Sequence, residues 1–154
     1  MKNNFLFINL KNFEQAKKDL VILKKENPKK LIGFTSENDD LNRKVLEKLN
    51  FDFYLPMQSK RKDFSKQRNS GLNQVMAKIA KKNKILIGIC LNEIINSKSI
   101  EKSKIIARVM QNIELCKKYK ILMNFFTTYD IDKYSLKSLG LILGMPTWMT
   151  KQLN

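Results

Sequence analysis

The chain contains no histidine, and this absence limits its chemistry before any pattern is considered. Without imidazole the chain lacks the commonest general base, the usual activator of serine and cysteine nucleophiles, and a frequent metal ligand. Its only cysteines, Cys90 and Cys116, cannot complete a zinc ligand set, and we expect two buried thiols rather than a disulfide. The sequence therefore predicts no catalytic residues and no metal ligands.

Acidic residues are also scarce. The chain has 14 of them against 30 lysines and arginines, which gives a formal net charge of +16. A charge of this sign and size favours binding to nucleic acid or to an anionic membrane. An AT-rich genome, which enriches lysine and asparagine, can account for part of the charge. It does not explain why Asp63 is the single acid between Gln58 and Lys84.

Long apolar runs and flexible linkers are missing as well. No segment approaches the ~18 apolar residues of a membrane span, and the start, MKNNFLFINL, has too short an apolar run for a signal peptide. We expect a soluble cytoplasmic protein with no membrane partner. No repeat or Gly/Ser-rich tract divides the chain, so residues 1–154 are predicted to form one domain.

What the chain does contain is an alternation of short apolar runs and helical patterns. The runs predicted as strands are Phe5–Leu10, Leu31–Thr35, Phe51–Leu55, Ile85–Leu91 and Ile121–Thr127, with Leu141–Leu143 as a possible sixth. Helices are predicted between them, including one capped by Asn12 and a long one from Ile100 to Tyr119. Alternation with short connections predicts an α/β fold with a parallel sheet and right-handed crossovers.

The segment from Lys60 to Leu91 has the most distinctive character. It begins with a basic loop, continues into a helix for which Ser70 is the predicted N-cap, and ends in a buried strand. The predicted apolar stripe of the helix is Leu72, Val75, Met76, Ile79 and Ala80. Lysines lie off that stripe, so the outer face of the helix is positive. This combination favours a phosphate-rich partner.

The same segment resembles a known family. RKD, then SGLNQVMAKIA, then ILIGICLNEII, with SLKSLGLILGM near the C-terminus, is similar to protein component 3 of archaeal ribonuclease P, the family of the eukaryotic p-thirty subunit. The resemblance covers about the last two thirds of the chain. In the family the glycine follows Arg-Lys-Asp almost directly, whereas here residues 64–70 intervene.

The resemblance implies a TIM-barrel-like fold. A closed barrel of this kind has eight strands, so five or six strands predict an incomplete, short barrel. Its edges are expected at Phe5–Leu10 and at Ile121–Thr127 or Leu141–Leu143. The gap between the edges is expected to be covered by the segment Leu141–Trp148, by a second copy in a homodimer, or by a partner subunit.

The resemblance also implies a function. Ribonuclease P is a ribonucleoprotein whose RNA uses Mg²⁺ to remove the 5′ leader of precursor tRNA, so the protein is expected to bind ribonuclease P RNA and protein component 2 and to be inactive alone. Asp63 is expected to orient Arg61 or Lys62. The candidate RNA-binding residues are Lys60, Arg61, Lys62, Arg68, Gln74, Lys78, Lys82 and Lys133.

Two alternatives stay open. The first is a small TIM-barrel hydrolase that uses carboxylates and a divalent metal, which a cluster of acids at the carboxyl ends of the strands would favour. Its candidate ligands are Glu37, Asp39, Asp40, Asp52, Asp130 and Asp132. The second is a basic scaffold that binds only protein.

Overall fold

The computed structural model describes residues 4–153. Strands and helices alternate along the chain. They are β1 (Phe5–Asn9), α1 (Phe13–Glu26), β2 (Leu31–Thr35), α2 (Asp39–Lys48), β3 (Phe53–Tyr54), α3 (Gln74–Lys82), β4 (Leu86–Cys90), α4 (Leu91–Asn96), α5 (Ser99–Tyr119), β5 (Met123–Phe126), α6 (Lys133–Leu143) and α7 (Thr147–Thr150). None of the helices in residues 4–153 is long and apolar enough to cross a membrane.

The strands form one parallel sheet in the order β1-β2-β3-β4-β5, so each strand lies beside the one before it. This stepwise order is how a TIM barrel winds, and it leaves β1 and β5 as the two edges. The α/β, TIM-barrel-like fold with an incomplete barrel is confirmed. The five predicted strands are present, β2 with its predicted bounds and the other four shorter, β3 with only two residues.

The two faces of the sheet hold separate cores. Alternate strand residues such as Ile32, Phe34 and Ile87, all less than 2% exposed, pack against the helices in the main core. The concave face carries a small aromatic cluster, formed by Phe5, Phe53 and Phe126, which we call the aromatic plug. The helices therefore cover the convex face, and the plug fills the inside of the curl.

Two glycines make the aromatic plug possible. A Cβ atom at Gly33 would lie 2.2 Å from Phe53 Cε2, and one at Gly88 would lie 2.8 Å from Phe126 Cδ2. The rings of Phe53 and Phe126 stack at 3.9 Å between centroids, and Phe5 meets Phe126 edge-on at 4.9 Å. Since Phe5 is on β1 and Phe126 on β5, the curl brings the two edge strands into side-chain contact.

Three local predictions were wrong. Leu141–Leu143 is not a strand but the last turn of α6, which ends at Gly144 with φ 104°. A short apolar run has no clear period, so an apolar helix turn and a strand look alike in sequence. Asn73, not Ser70, caps α3, because its side chain accepts the Met76 N–H at 3.0 Å. Val75, predicted on the apolar stripe, is 47% exposed, because the buried face of α3 is formed by Met76, Ala77 and Ala80.

The segment expected to cover the gap lies elsewhere. Met145 (2% exposed) belongs to the main core, whereas Leu141 and Trp148 remain exposed. A cavity of about 480 Å³ occupies the gap, and Ile131 and Leu136 border it together with both edge strands. Residues 127–136, rather than Leu141–Trp148, therefore lie at the gap.

Candidate nucleic-acid interface

The basic loop, residues 58–70, connects the third strand region to α3 and lies at the carboxyl ends of the strands. In a parallel barrel the loops at this end form the functional face. The loop has little regular structure of its own; Phe64 N–H donates to Gln67 O at 2.9 Å. Its shape depends on side chains from α5, α2 and α4.

Arg108 makes the most extensive of these contacts. It lies in the middle of α5 and is 1% exposed. Its Nε donates to Asp63 Oδ1 at 2.9 Å, Nη1 to Gln58 O at 3.0 Å and Nη2 to Arg61 O at 2.9 Å. The guanidinium thus binds three points of the loop at once, which its planar, forked geometry permits. The hydrogen bond from Arg108 lowers the pKa of Asp63, with help from the Asn69 N–H.

Arg61 is the second anchor. Its guanidinium forms a bidentate pair with Asp39 at the start of α2, at 3.0 and 3.1 Å, and its Nε donates to Met57 O. The side chain is only 10% exposed. Burial by itself would lower the pKa of Arg61, but the hydrogen bond to Asp39 and the nearby negative charges outweigh it and raise the pKa. Arg61 therefore joins the loop to α2.

Backbone groups of the loop are also held individually. The Glu93 carboxylate on α4 accepts the Gln58 N–H at 2.9 Å and the Ser59 N–H at 2.7 Å. At the other end, the Tyr54 hydroxyl donates to Gly71 O at 2.9 Å, and burial raises the pKa of this phenol. The loop is consequently fixed at both ends.

This framework leaves most of the predicted RNA-binding side chains facing outward. Those that the structure places as exposed are Lys60, Lys62, Arg68, Gln74, Lys78, Lys82 and Lys133. The first five lie on the loop or in the first two turns of α3, whereas Lys82 is the last residue of α3 and Lys133 begins α6 at another part of the molecule. Arg61 differs, because its donors are directed to protein acceptors. The expected contact of Asp63 with Arg61 or Lys62 was wrong: Asp63 pairs with Arg108 instead.

A groove of about 580 Å³ lies beside the loop at the carboxyl ends of the strands. Lys60 and Lys62 face it, together with Phe7 and Asn9 of β1 and Asp39. Of the acids proposed for a metal site, Asp39 is bonded to Arg61, Asp52 accepts the Ile32 N–H and Asp132 caps α6. No group of three or more potential metal ligands occurs within residues 4–153.

Sequence reasoning missed Arg108. The signal was present, because Ile105, Val109 and Ile113 define the buried face of α5 and Arg108 falls on it. A charged residue at a buried position of an amphipathic helix requires a partner. The partner itself could not be found from the sequence, since Asp63 is 45 residues away.

Comparisons with known proteins agree with this picture. No family model matches the chain. Ribonuclease P protein component 3 of Methanosarcina mazei is 34% identical over 112 residues, which cover 64% of this chain and 44% of that protein. Its counterpart in Methanosarcina acetivorans is 39% identical over 54 residues, 35% of this chain and 23% of the relative. The resemblance to ribonuclease P protein component 3 is confirmed.

The fold has a solved counterpart too. A chain in the cryo-EM structure of archaeal ribonuclease P with mature tRNA matches with a TM-score of 0.76 and 20% sequence identity. The match covers 96% of this chain and 62% of the other. This chain thus spans less than half of the curated relatives it matches and under two thirds of its structural counterpart, which agrees with a barrel of five strands.

Proposed function

We propose that this protein is an RNA-binding subunit of ribonuclease P that supports removal of the 5′ leader from precursor tRNA by the RNA of that enzyme. The likeness to ribonuclease P protein component 3 over 112 residues carries the proposal. The loop at the carboxyl ends of the strands supports it, since its cations face outward from a fixed backbone. Lysine and arginine side chains in such positions offset the repulsion between phosphates when RNA folds.

The exposed residues of the loop and α3 are the proposed RNA contacts: Lys60, Lys62, Arg68, Gln74, Lys78 and Lys82. Lys133, which begins α6 and lies away from the loop, is a further proposed contact. Arg61, which sequence reasoning grouped with them, acts chiefly as an anchor of the loop through Asp39. Each lysine binds phosphate as a point charge, and Arg68 can bind it with two parallel hydrogen bonds.

The proposed partners are other components of ribonuclease P and its substrate. They are ribonuclease P RNA, precursor tRNA in the holoenzyme and ribonuclease P protein component 2, with a homodimer as an alternative occupant of the open barrel. The Mg²⁺ ions belong to the RNA in this proposal. The cytoplasmic location expected from the sequence is part of it.

Reconstitution tests the proposal. The purified protein alone is expected to leave precursor tRNA intact. Addition of the cognate ribonuclease P RNA is expected to produce 5′-leader cleavage, which the protein accelerates or allows at lower Mg²⁺ concentration. The variant Lys62→Ala/Arg68→Ala tests the loop directly. It should reduce this effect while the protein stays folded. RNA-free cleavage that survives repurification and disappears in an Asp39 or Asp130 variant would establish the hydrolase instead.

A further inference from the structure

A second group of exposed lysines lies at the end of the barrel opposite the basic loop. Because the strands are parallel, every helix that precedes a strand ends near the amino end of that strand, and the αβ turns there form one rim. The exposed lysines in the last helical turns and the turns that follow are Lys25, Lys29, Lys30, Lys48, Lys81, Lys82, Lys84, Lys117, Lys118 and Lys120. We call this set the lysine rim.

Direct contacts join neighbouring turns of the rim. Lys24 Nζ at the end of α1 donates to Asn50 O, in the turn after α2. Asn83 Nδ2 after α3 donates to Leu46 O of α2 at 2.6 Å, and Lys81 Nζ donates to Lys120 O after α5 at 2.6 Å. The turns therefore form a continuous surface from α1 to α5.

Lys84 and Lys120 occupy corresponding places on this surface. Each lies three residues before a pair of residues in register, Ile87 and Met123, on the adjacent strands β4 and β5. The amide of each lysine donates to the carbonyl three residues earlier, and the next amide donates to the carbonyl five residues before itself. Both turns are thus the same Schellman-type helix ending.

The backbone of these two lysines is strained. Lys84 has φ 56° and Lys120 has φ 52°, in the left-handed region that favours glycine or asparagine. Codon bias toward AT-rich triplets does not explain why these two positions hold lysine, because it favours asparagine as much as lysine. Asparagine does occur at nearby helix ends, such as Asn27 and Asn83. Lysine is present at two equivalent positions where another available residue fits the backbone better. Strain retained in this way points to a function for the side chain.

Few acids oppose the rim. Among the described residues, neither Lys84 nor Lys120 takes part in an ion pair. Glu47 is bonded to Arg43, and the Asp52 carboxylate accepts the Ile32 N–H, so both are committed to other groups. Within the rim, Lys117 is paired with Glu114 at 3.6 Å, and Glu26 is the nearby acid that has no such partner in residues 4–153. The field of the rim is therefore strongly positive.

We propose that the lysine rim is a second RNA-binding surface, centred on Lys84 and Lys120, that takes the phosphate backbone of a structured RNA. A row of point charges that follows the order of the strands matches a polymer of repeated phosphates. A membrane face would require long apolar or aromatic side chains beside the cations. The residues directly after the two lysines, Ile85 and Ile121, are instead buried at 2% and 3% exposure, and the large apolar side chains exposed beside them are Leu31 and Leu122, at 38% and 36%. The inference rests on the proposed function in that its ligand is RNA.

The test measures binding of a folded tRNA transcript by the full chain over a range of salt concentrations. The variant Lys84→Asn/Lys120→Asn removes both charges and keeps residues that suit the backbone. It is expected to lower affinity about five- to tenfold at moderate salt and to reduce the slope of log affinity against log salt by about 2, because each phosphate contact releases counterion. Its melting temperature should be unchanged or higher.

Two further variants serve as controls. Lys84→Arg/Lys120→Arg keeps the charge and should bind as the wild type does. Lys17→Gln/Lys18→Gln removes two exposed lysines from the middle of α1 and should change the slope by much less. Wild-type binding by the asparagine variant, or an equal loss in the α1 variant, overturns the inference.

The outcomes also separate this inference from the proposed function. If Lys62→Ala/Arg68→Ala weakens binding and the asparagine variant does not, the proposed function stands and the rim is not an RNA surface. If the wild type binds no RNA, both fail. If the asparagine variant loses binding only to phosphatidylcholine–phosphatidylglycerol vesicles, with RNA affinity intact, the rim is a membrane surface and the inference is wrong.

Discussion

The Nε atom of Arg108 lies 2.9 Å from Oδ1 of Asp63, and this contact joins the centre of the longest helix to the middle of the basic loop. The same guanidinium donates to two loop carbonyls, of Gln58 and Arg61. A charge that is buried in this way is stable only when its donors are matched by acceptors. The loop and the helix therefore require each other.

Replacing Arg108 by methionine should release the loop while keeping most of the apolar packing. The carbonyls of Gln58 and Arg61 and the Asp63 carboxylate would lose their charged donor, and we expect the free energy of unfolding to fall by about 3 kcal/mol. Hydrogen exchange in residues 58–70 should accelerate more than in β4. The control is Lys104→Met, at an exposed position of α5. Unchanged exchange in the loop would contradict the assignment.

The stability of the protein should depend on the ionisation of Asp63. The pKa of this carboxyl is lowered by the hydrogen bond from Arg108, from an ordinary value of about 3.9. A group with a lowered folded pKa contributes stability that is fully present above its unfolded pKa and is lost as the pH falls through the folded one. The wild type should therefore exceed Asp63→Asn in free energy of unfolding at neutral pH.

That difference should shrink as the pH falls below about 4. Urea titrations of both proteins from pH 7 to pH 2.5 measure it. The Asp132 carboxyl also has a lowered pKa, from its hydrogen bonds with Ser135, but it is present in both proteins and cancels in the comparison. A difference that is constant over this range would show that the ionisation of Asp63 does not contribute.

Neighbouring cations of the loop should behave differently. Lys62 is exposed, so Lys62→Ala should leave the melting temperature unchanged and reduce the salt slope of RNA binding by about 1. Arg61 is held by Asp39 and Met57 O, so Arg61→Ala should lower the melting temperature first, and Arg61→Lys should not restore it, since lysine cannot make the bidentate pair. If the wild type, Arg61→Ala and Arg61→Lys have equal melting temperatures, Arg61 does not anchor the loop.

The inside of the barrel can be tested at Gly33. A Cβ atom there would lie 2.2 Å from the Phe53 ring, so Gly33→Ala forces the aromatic plug to move and should lower the free energy of unfolding by about 1–3 kcal/mol. The double variant Gly33→Ala/Phe53→Leu should be less destabilised than the sum of its single changes, because the two residues share one space. Ser138→Ala, at an exposed site on α6, is the control.

The sequence predicted the elements whose causes are local. The sequence predicts Asn12 as a cap because asparagine favours that position, and its side chain accepts the Gln15 N–H, three residues away; the long helix is predicted from its period. Leu141–Leu143 was misassigned because three apolar residues show no period. The exposed members of the proposed RNA-binding set are also local features of the sequence, namely cations of the loop and polar residues off the apolar stripe of α3.

The anchors of the site could not be found in this way. Arg61 meets Asp39 across 22 residues and Arg108 meets Asp63 across 45, and both contacts depend on how the sheet curls. The aromatic plug has the same origin, since Phe5 and Phe126 lie at opposite ends of the chain and meet only because β1 and β5 approach. Neither composition nor local periodicity shows which residues far apart in the sequence meet in the fold.

One hydrogen bond in the basic loop affects how easily the length of the loop can change. Asn69 N–H donates to Asp63 Oδ1 at 2.9 Å, so the chain leaves the fold after Asp63 and returns to the same point at Asn69. Residues 64–68, part of the stretch that separates Arg-Lys-Asp from the glycine in this chain, form a side excursion between those two positions. Such an excursion can be lengthened, shortened or labelled while both of its ends stay in place. A fluorophore at Ser65, which is exposed, would lie three residues from Arg68, a proposed RNA contact, and should report RNA binding at the loop.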